Sequence, residues 1–169
     1  MKIKEKLDSG PVLVSKKFEL DQNATHDEIE KKLSIEGADL LIQSLKSIEK
    51  GNLKLVEQDE SQATYAKKID KNETKINWNK DANKVLAHIH SLSPSPGAWF
   101  EIDKERFKVL RVKISSENGQ PGYVLDENLT IGCGLNSIQI IELQRQGKNR
   151  QTTKEFLLGK KISKGTILI

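Results

Sequence analysis

The first twenty residues, MKIKEKLDSGPVLVSKKFEL, set single apolar residues among Lys and Glu on one side of LDSG and a short apolar run, Val12 to Val14, on the other. That pattern predicts strand, tight turn, strand, with Asp8 at the lip of the turn and Gly10 just behind it. The period then lengthens. In THDEIEKKLSIEGADLLIQSLKSIEKG the apolar residues Ile29, Leu33, Leu40, Leu41 and Ile48 recur at helical spacing. Thr25 with Glu28 forms a capping-box signature, and Gly51 is placed to end the helix. One face of so long a helix needs a packing partner that two short strands are too small to supply. Residues 1–51 therefore read as the last strand pair and last helix of a larger α/β domain.

Residues 52–75 are polar, weakly periodic and increasingly basic, the signature of a linker. INWNKDANKVLAHIHSL then offers Asn79 as a cap and Ala82, Val85, Leu86 and Ile89 as the apolar stripe of a short helix, which Pro94 to Gly97 ends. From Ala98 onward short strands follow one another: AWFEI, RFKVLRVKI, GYVL, NLTIGC and SIQIIEL, with turns at Asp103-Lys104, Glu117-Asn118-Gly119 and Asp126-Glu127-Asn128. Thr152 with Glu155 caps one further short helix, KEFLL, which Gly159 terminates, and KGTILI closes the sequence. Five short strands and a helix in this span predict a small open barrel of the OB type over residues 76–169. The fold class expected is α+β, the end of an α/β domain followed by an OB-like open β-barrel.

Composition narrows the function classes. A chain of 169 residues holds one ordinary domain, or a small domain with a piece of another. No apolar run approaches the roughly 20 residues that span a bilayer, and Met1 to Lys6 lacks the apolar core of a signal peptide. One cysteine and three scattered histidines exclude an internal disulfide framework and argue against a structural metal site. The expected location is the cytoplasm. The formal charge of +4 conceals a split: residues 1–60 carry 10 Lys and Arg against 13 Asp and Glu, whereas residues 61–169 carry 18 against 11. Such asymmetry fits contact with a polyanion such as nucleic acid, and equally fits a solvated lysine-rich surface.

The chemistry-bearing residues divide accordingly. Asp8 is a turn former by its local sequence; as a catalytic group it would orient a histidine or polarise a water, and needs partners for either. His88 and His90, two apart on a helix, point in different directions and cannot share one metal or substrate. Of the two, His90 at the edge of the stripe could reach a phosphate. Trp78 and Trp99 read as core residues, with base stacking the rival role, and Cys133 as an inert small residue. The basic positions are Lys67, Lys68, Lys75, Lys80 and Lys84 along the linker and helix, Arg106, Lys108, Arg111 and Lys113 on one hairpin strand, and Arg145, Lys148 and Arg150 in QRQGKNRQ. Arg106 and Lys108 share one strand parity and Arg111 and Lys113 the other, unless a bulge intervenes. The set suits tracking of phosphates rather than reading of bases.

LDSGPVL, the helix with EGADLL, ATYAKKIDKNETKINW, LAHIHSLSPSPGAWFEI and LQRQGKN occur here in the order in which the C-terminal half of the methionyl-tRNA formyltransferases carries similar segments. The whole chain resembles that family. LDSG is shared by formyltetrahydrofolate-dependent transferases at large; TYAKKI followed by INW and Pro-x-Pro-Gly-Ala-Trp is more specific. Sugar-nucleotide formyltransferases, which have a related C-terminal domain, are a rival resemblance, and a free-standing RNA-binding module is the alternative from another class. The resemblance implies that Asp8 matches the catalytic aspartate, which works with an Asn and a His as the formyl group passes from 10-formyltetrahydrofolate to the amine of initiator methionyl-tRNA. The family's Asn-x-His and Ser-Leu-Leu-Pro segments precede LDxG and are not in this sequence. Two positions depart from the family pattern, His90 standing where an Arg is usual and Pro11 where many members have Asp. Met1 matches a position inside a strand, which implies a fragment, half of a split gene or a reading begun at an internal methionine. By the same resemblance the chain alone binds no folate and is inactive. Its second half binds tRNA as a monomer, and a separately encoded N-terminal half is a second candidate partner.

Overall fold

A computed structural model describes residues 1–52 and 54–169. They form two compact units, one of residues 1–20 and 29–68, the other of residues 21–28 and 69–169.

In the first unit the expected opening strand pair is absent. Residues 1–20 form no strand ladder; they carry one bridge, Val12 to Val56, and a hydrogen bond from the Lys2 N–H to the Pro11 carbonyl at 2.9 Å. The turn itself is where LDSG put it. Asp8 sits at φ +52°, in the left-handed region, and a Cβ at Gly10 would meet the Lys2 carbonyl oxygen at 1.6 Å. Glycine is thus required by the close approach of Lys2, while single bridges replace the ladder that a strand needs. Helix α1, His26–Glu49, whose first residues belong to the second unit, buries none of its residues; Leu33, Ile35, Leu41, Ile42 and Leu45 are exposed. The Glu28 carboxylate accepts from the Thr25 N–H at 2.9 Å, one arm of the expected capping box. At the other end Gly51 takes φ +74°, its N–H donating to Ile48 and that of Asn52 to Ser47, a Schellman close.

The second unit is an antiparallel five-stranded sheet with two helices. After a short turn of 3-10 helix at Lys71–Thr74, helix α2 (Ala82–Leu92) starts from Asp81, whose side chain accepts from the Lys84 N–H. The cap is therefore Asp81 rather than Asn79, whose N–H is held by the Asn77 side chain in a preceding turn. Strands β1 (Ala98–Ile102) and β2 (Glu105–Ser115) form a hairpin through Asp103 and Lys104, both at positive φ as a two-residue turn of this hand requires. Strand β4 (Ser137–Arg145) pairs with β2 on one edge, and on the other with β3 (Thr130–Gly132) and β5 (Arg150–Thr152) at its two ends. Helix α3 (Thr153–Gly159) follows with the full Thr152/Glu155 capping box and drops Phe156 into the core.

The backbone pairing runs round on itself. GYVL, expected as a strand, makes isolated bridges only, as does the closing KGTILI, yet these complete a ring. Gly122 donates to Gly132 and Leu125 to Thr130 on one side; Val124 donates to Thr166 and Leu168 to Gly122 on the other. Ile169 and Glu101 then exchange both backbone hydrogen bonds, at 2.7 and 3.0 Å, which returns the pairing to β1. Inside lie Phe100 and Phe107, stacked at 5.5 Å and fully buried, with Phe156 edge-on to Phe107 and Trp78 tilted against Phe100. Val85, Leu86 and Ile89 of α2 close the core from outside the sheet.

Phe107 touches three sides of this core. Truncation to alanine should lower the free energy of unfolding by about 3–5 kcal/mol in urea titrations; a loss under 1 kcal/mol would contradict the packing described.

Candidate nucleic-acid interface

Strand β2 carries two opposed demands, apolar side chains inward and cations outward, along eleven residues. Strict alternation would send Arg106 and Lys108 to one face and Arg111 and Lys113 to the other. The strand instead contains a register break: Val109 faces Leu143, Arg111 faces Glu142 and Val112 faces Ile140, leaving Leu110 and Ile141 unopposed. The bulge resets the parity. Phe107, Val109 and Val112 all join the core, and Arg106, Lys108, Arg111 and Lys113 all alternate with them on the outer face.

His90 stabilises the bulge. It is 3% exposed, and its Nε2 accepts the Val112 N–H at 3.1 Å. That corrects the expectation of a surface histidine reaching a phosphate. Burial, reinforced by the nearby Arg111 guanidinium, pushes its pKa below the ordinary histidine value, so the ring is held neutral as an acceptor.

Trp99 is likewise corrected from core residue to part of the outer face. It is half-buried on β1 opposite Lys108, its Nε1 donates to Thr74 Oγ1 at 2.9 Å, and the Arg106 guanidinium lies 3.7 Å from the ring centroid. Lys75 approaches the same ring at 5.6 Å. Trp78 is the tryptophan that fills the core.

The cations differ in what holds them. Arg111 is paired with Glu28, Arg106 with Glu101 at 3.5 Å, Arg150 with Glu142 at 3.9 Å and Lys84 with Asp81 at 3.6 Å. Arg145 and Lys160 share the Glu105 carboxylate, and the Lys160 hydrogen bond followed by that of Arg145 holds its pKa below the ordinary glutamate value. Among the described residues Lys67, Lys68, Lys80, Lys108, Lys113 and Lys148 have no carboxylate partner. Fixed arginines beside free lysines make a patterned rather than a uniform positive face. Sequence reasoning missed the acidic partners Glu28, Glu101 and Glu105, because each pairing depends on register or on a return of the chain that spacing does not encode.

Asp8 lies in the first unit, exposed, and its carboxylate makes no hydrogen bond or ion pair among the described residues. Gln58 Nε2 spends its hydrogens on the Asp8 and Gly10 carbonyls, and Lys6 is paired with Glu60. Cys133 is buried, and desolvation pushes its thiol up to about 11, an inert group. No cluster of three metal-ligating side chains occurs among the described residues, and no helix there is long and apolar enough to cross a membrane.

A ring-paired antiparallel domain with cations gathered on one strand face is thus the architecture of the second unit. Residues 68–161, more than half of the sequence, match the family model described as "Formyl transferase, C-terminal domain", and the chain belongs to that family. Proteins named methionyl-tRNA formyltransferase from Bradyrhizobium diazoefficiens, Rhodopseudomonas palustris and Pelagibacter ubique are 43%, 44% and 42% identical to it over 98% of its length. The chain spans 54% of each of those relatives. Among solved structures, HypX from Aquifex aeolicus in complex with tetrahydrofolic acid superposes with a TM-score of 0.72 at 21% identity, covering 96% of this chain and 32% of that one. WlaRD, a sugar 3N-formyl transferase, does so with 0.65 at 19%, covering 87% and 53%. These two share the fold.

The neutral, buried His90 has a pH consequence. Its folded pKa lies below the unfolded value of about 6.5, so the unfolded chain binds the extra proton. The stabilisation is complete above that value and is lost as pH falls through the folded pKa. His88 shifts in the same direction. Unfolding free energy should therefore fall between pH 7.5 and 5.5, and His90→Gln should flatten that fall. An unaltered slope in the variant would contradict it.

Proposed function

We propose that the chain is the C-terminal portion of a methionyl-tRNA formyltransferase and that its second unit, an OB-type barrel, is the tRNA-binding domain. The observation that carries this reading is the identity of 42–44% with proteins of that name across both units, 98% of the chain. The outer face of β2 supports it physically. Lys108 and Lys113 are free to neutralise phosphates, while Arg106 and Arg111 are held in place by Trp99 and Glu28. Lys67, Lys68, Lys75, Lys80, Lys84, Arg145, Lys148 and Arg150 extend the set of candidate phosphate contacts. Residues 1–51 belong, on this reading, to the end of the catalytic domain, with 52–75 as the linker and Asp8 as the catalytic aspartate. The exposed apolar stripe of α1 and the open groove of about 470 Å³ beside Leu13, Leu41, Leu45 and Leu55 are then the face on which the rest of that domain packs, in one chain or as a separately encoded half.

The full enzyme moves a formyl group from 10-formyltetrahydrofolate to the methionyl amine, forming the amide as the bond to N10 breaks and the amine proton passes to N10. The residues of this chain do not by themselves fit the folate. The cleft at Asp8 is lined by Asp59 and Glu60 as well, with its one lysine, Lys6, already paired. A folate carries a carboxylate tail, which such a cleft repels. Asp8 also has no histidine or asparagine beside it among the lining residues to share a proton.

Binding of initiator methionyl-tRNA to the chain tests the reading. With about four phosphates engaged, affinity should fall roughly a hundredfold between 50 and 200 mM salt. Lys108→Glu with Lys113→Glu should reduce the slope by about two. Formyl transfer should require addition of an N-terminal half. Absence of tRNA binding at low salt, with binding of a dTDP-sugar in its place, would favour the sugar-nucleotide reading that the WlaRD fold admits.

A further inference from the structure

Trp99 is a large aromatic side chain that the core does not take up, and its neighbours fix it where it stands. Its Nε1 donates to Thr74 Oγ1 at 2.9 Å, and that hydroxyl donates in turn to the Lys71 carbonyl at 2.7 Å. Thr74 is buried, so the ring cannot turn without stranding a buried hydroxyl. The Arg106 guanidinium carbon lies 3.7 Å from the ring centroid, the spacing of two flat groups in contact. A guanidinium aimed at the ring by an N–H would hold its carbon farther off, so the two planes are stacked. Trp99 thus covers one face of the guanidinium. The side chain is still 47% exposed, which leaves the opposite face to solvent.

Arg106 is poorly suited to a phosphate. Glu101 stands opposite it in the β1–β2 register and accepts from one of its Nη atoms at 3.5 Å. That carboxylate offsets the charge and would repel an incoming anion. A hydrogen bond from Nη lies in the guanidinium plane, however, and leaves the face open to a flat, neutral group. Lys108 supplies the missing charge, having no carboxylate partner among the described residues. It stands opposite Trp99 and lays its stem over Gly97, where a Cβ would come within 2.7 Å of its Cδ. A stacked plane flanked by an ammonium matches one nucleotide turned out of a helix, a flat base with its phosphate beside it.

We propose that Arg106, stacked on Trp99, is the seat of one unpaired base of a bound RNA, with Lys108 on the adjoining phosphate. The inference rests on the tRNA-binding reading and adds to it a preference for single-stranded positions over uninterrupted duplex, whose bases are already stacked on one another. It also gives Arg106 a part distinct from that of Lys108 and Lys113, base contact in place of charge neutralisation. Every base has a flat face, so the seat selects an unpaired position and not a sequence.

The test uses the full chain and two RNA hairpins with the same stem and the same number of phosphates. One carries a short single-stranded 3′ extension with its bases; in the other the extension is abasic. The base-bearing hairpin should bind about tenfold more tightly, as for one stacked base. Arg106→Lys keeps the charge and removes the flat face. It should bring the two affinities together and leave the salt dependence of binding unchanged. Arg106 is exposed, so this variant should fold, which an unchanged melting temperature checks. Trp99→Leu, which takes away the support, should likewise cut the ratio, whereas Lys108→Ala should weaken both hairpins alike and keep it. Equal binding of the two hairpins by the unaltered protein overturns the seat and leaves the tRNA reading standing. Binding of neither overturns both. A preference that persists in folded Arg106→Lys places the base elsewhere and overturns the assignment to Arg106.

Discussion

One hydrogen bond organises the second unit's working face. The Val112 N–H, freed from regular pairing by the β2 bulge, is buried, and a buried amide without an acceptor would cost on the order of 1–3 kcal/mol. His90 Nε2 supplies the acceptor from α2. Because the amide is satisfied, the strand can leave Leu110 out of the ladder, as β4 leaves Ile141, and still keep Phe107, Val109 and Val112 in the core. Because the parity resets there, four cations alternate outward along one strand. Core and interface are therefore consequences of the same local irregularity, and the histidine that permits it is kept neutral by its own burial.

Around that point the domain divides its charges by rigidity. Carboxylates from three places, the start of α1, β1 and the first residue of β2, fix Arg111, Arg106 and Arg145. The lysines between them stay solvated. A polyanion meeting this face finds oriented guanidinium groups, whose ordering entropy has been spent in folding, and mobile ammonium groups that adapt to the phosphate path. The first unit has the opposite character. Its long helix buries nothing, and its opening segment is held by single bridges and the Gln58 side chain. Its exposed apolar stripe suits a segment that shares its core with further chain.

Much of this was legible from the residues alone. The hairpin AWFEI–RFKVLRVKI, the paired strand SIQIIEL, the capped helix at Thr152 and the glycine stop at Gly51 follow from alternation and turn chemistry, which act locally. The opening strands did not form, because alternation gives a strand its faces but not its neighbours. GYVL shrank to bridges for a related reason: its partner in KGTILI is brought to it only when the ring closes, across some forty residues. At the site, the basic residues could be named but not sorted. A bulge moves a whole set of side chains to the other face, and its position at Leu110 lies inside an unbroken Phe-to-Ile run that shows no glycine or proline. His90 and Trp99 were misplaced together, since one faces the bulge and the other leaves the core to carry Arg106.

The central claim is that the bulge presents one continuous cationic face to tRNA. Amide chemical-shift mapping of the labelled chain on addition of initiator tRNA at low salt tests it most directly. The account predicts that residues 106–113 of β2, Trp99 and the turn at Arg145–Arg150 shift together, while the far side of the ring at residues 122–125 and 165–168 stays still. Shifts confined to that far side, with β2 unmoved, would contradict it.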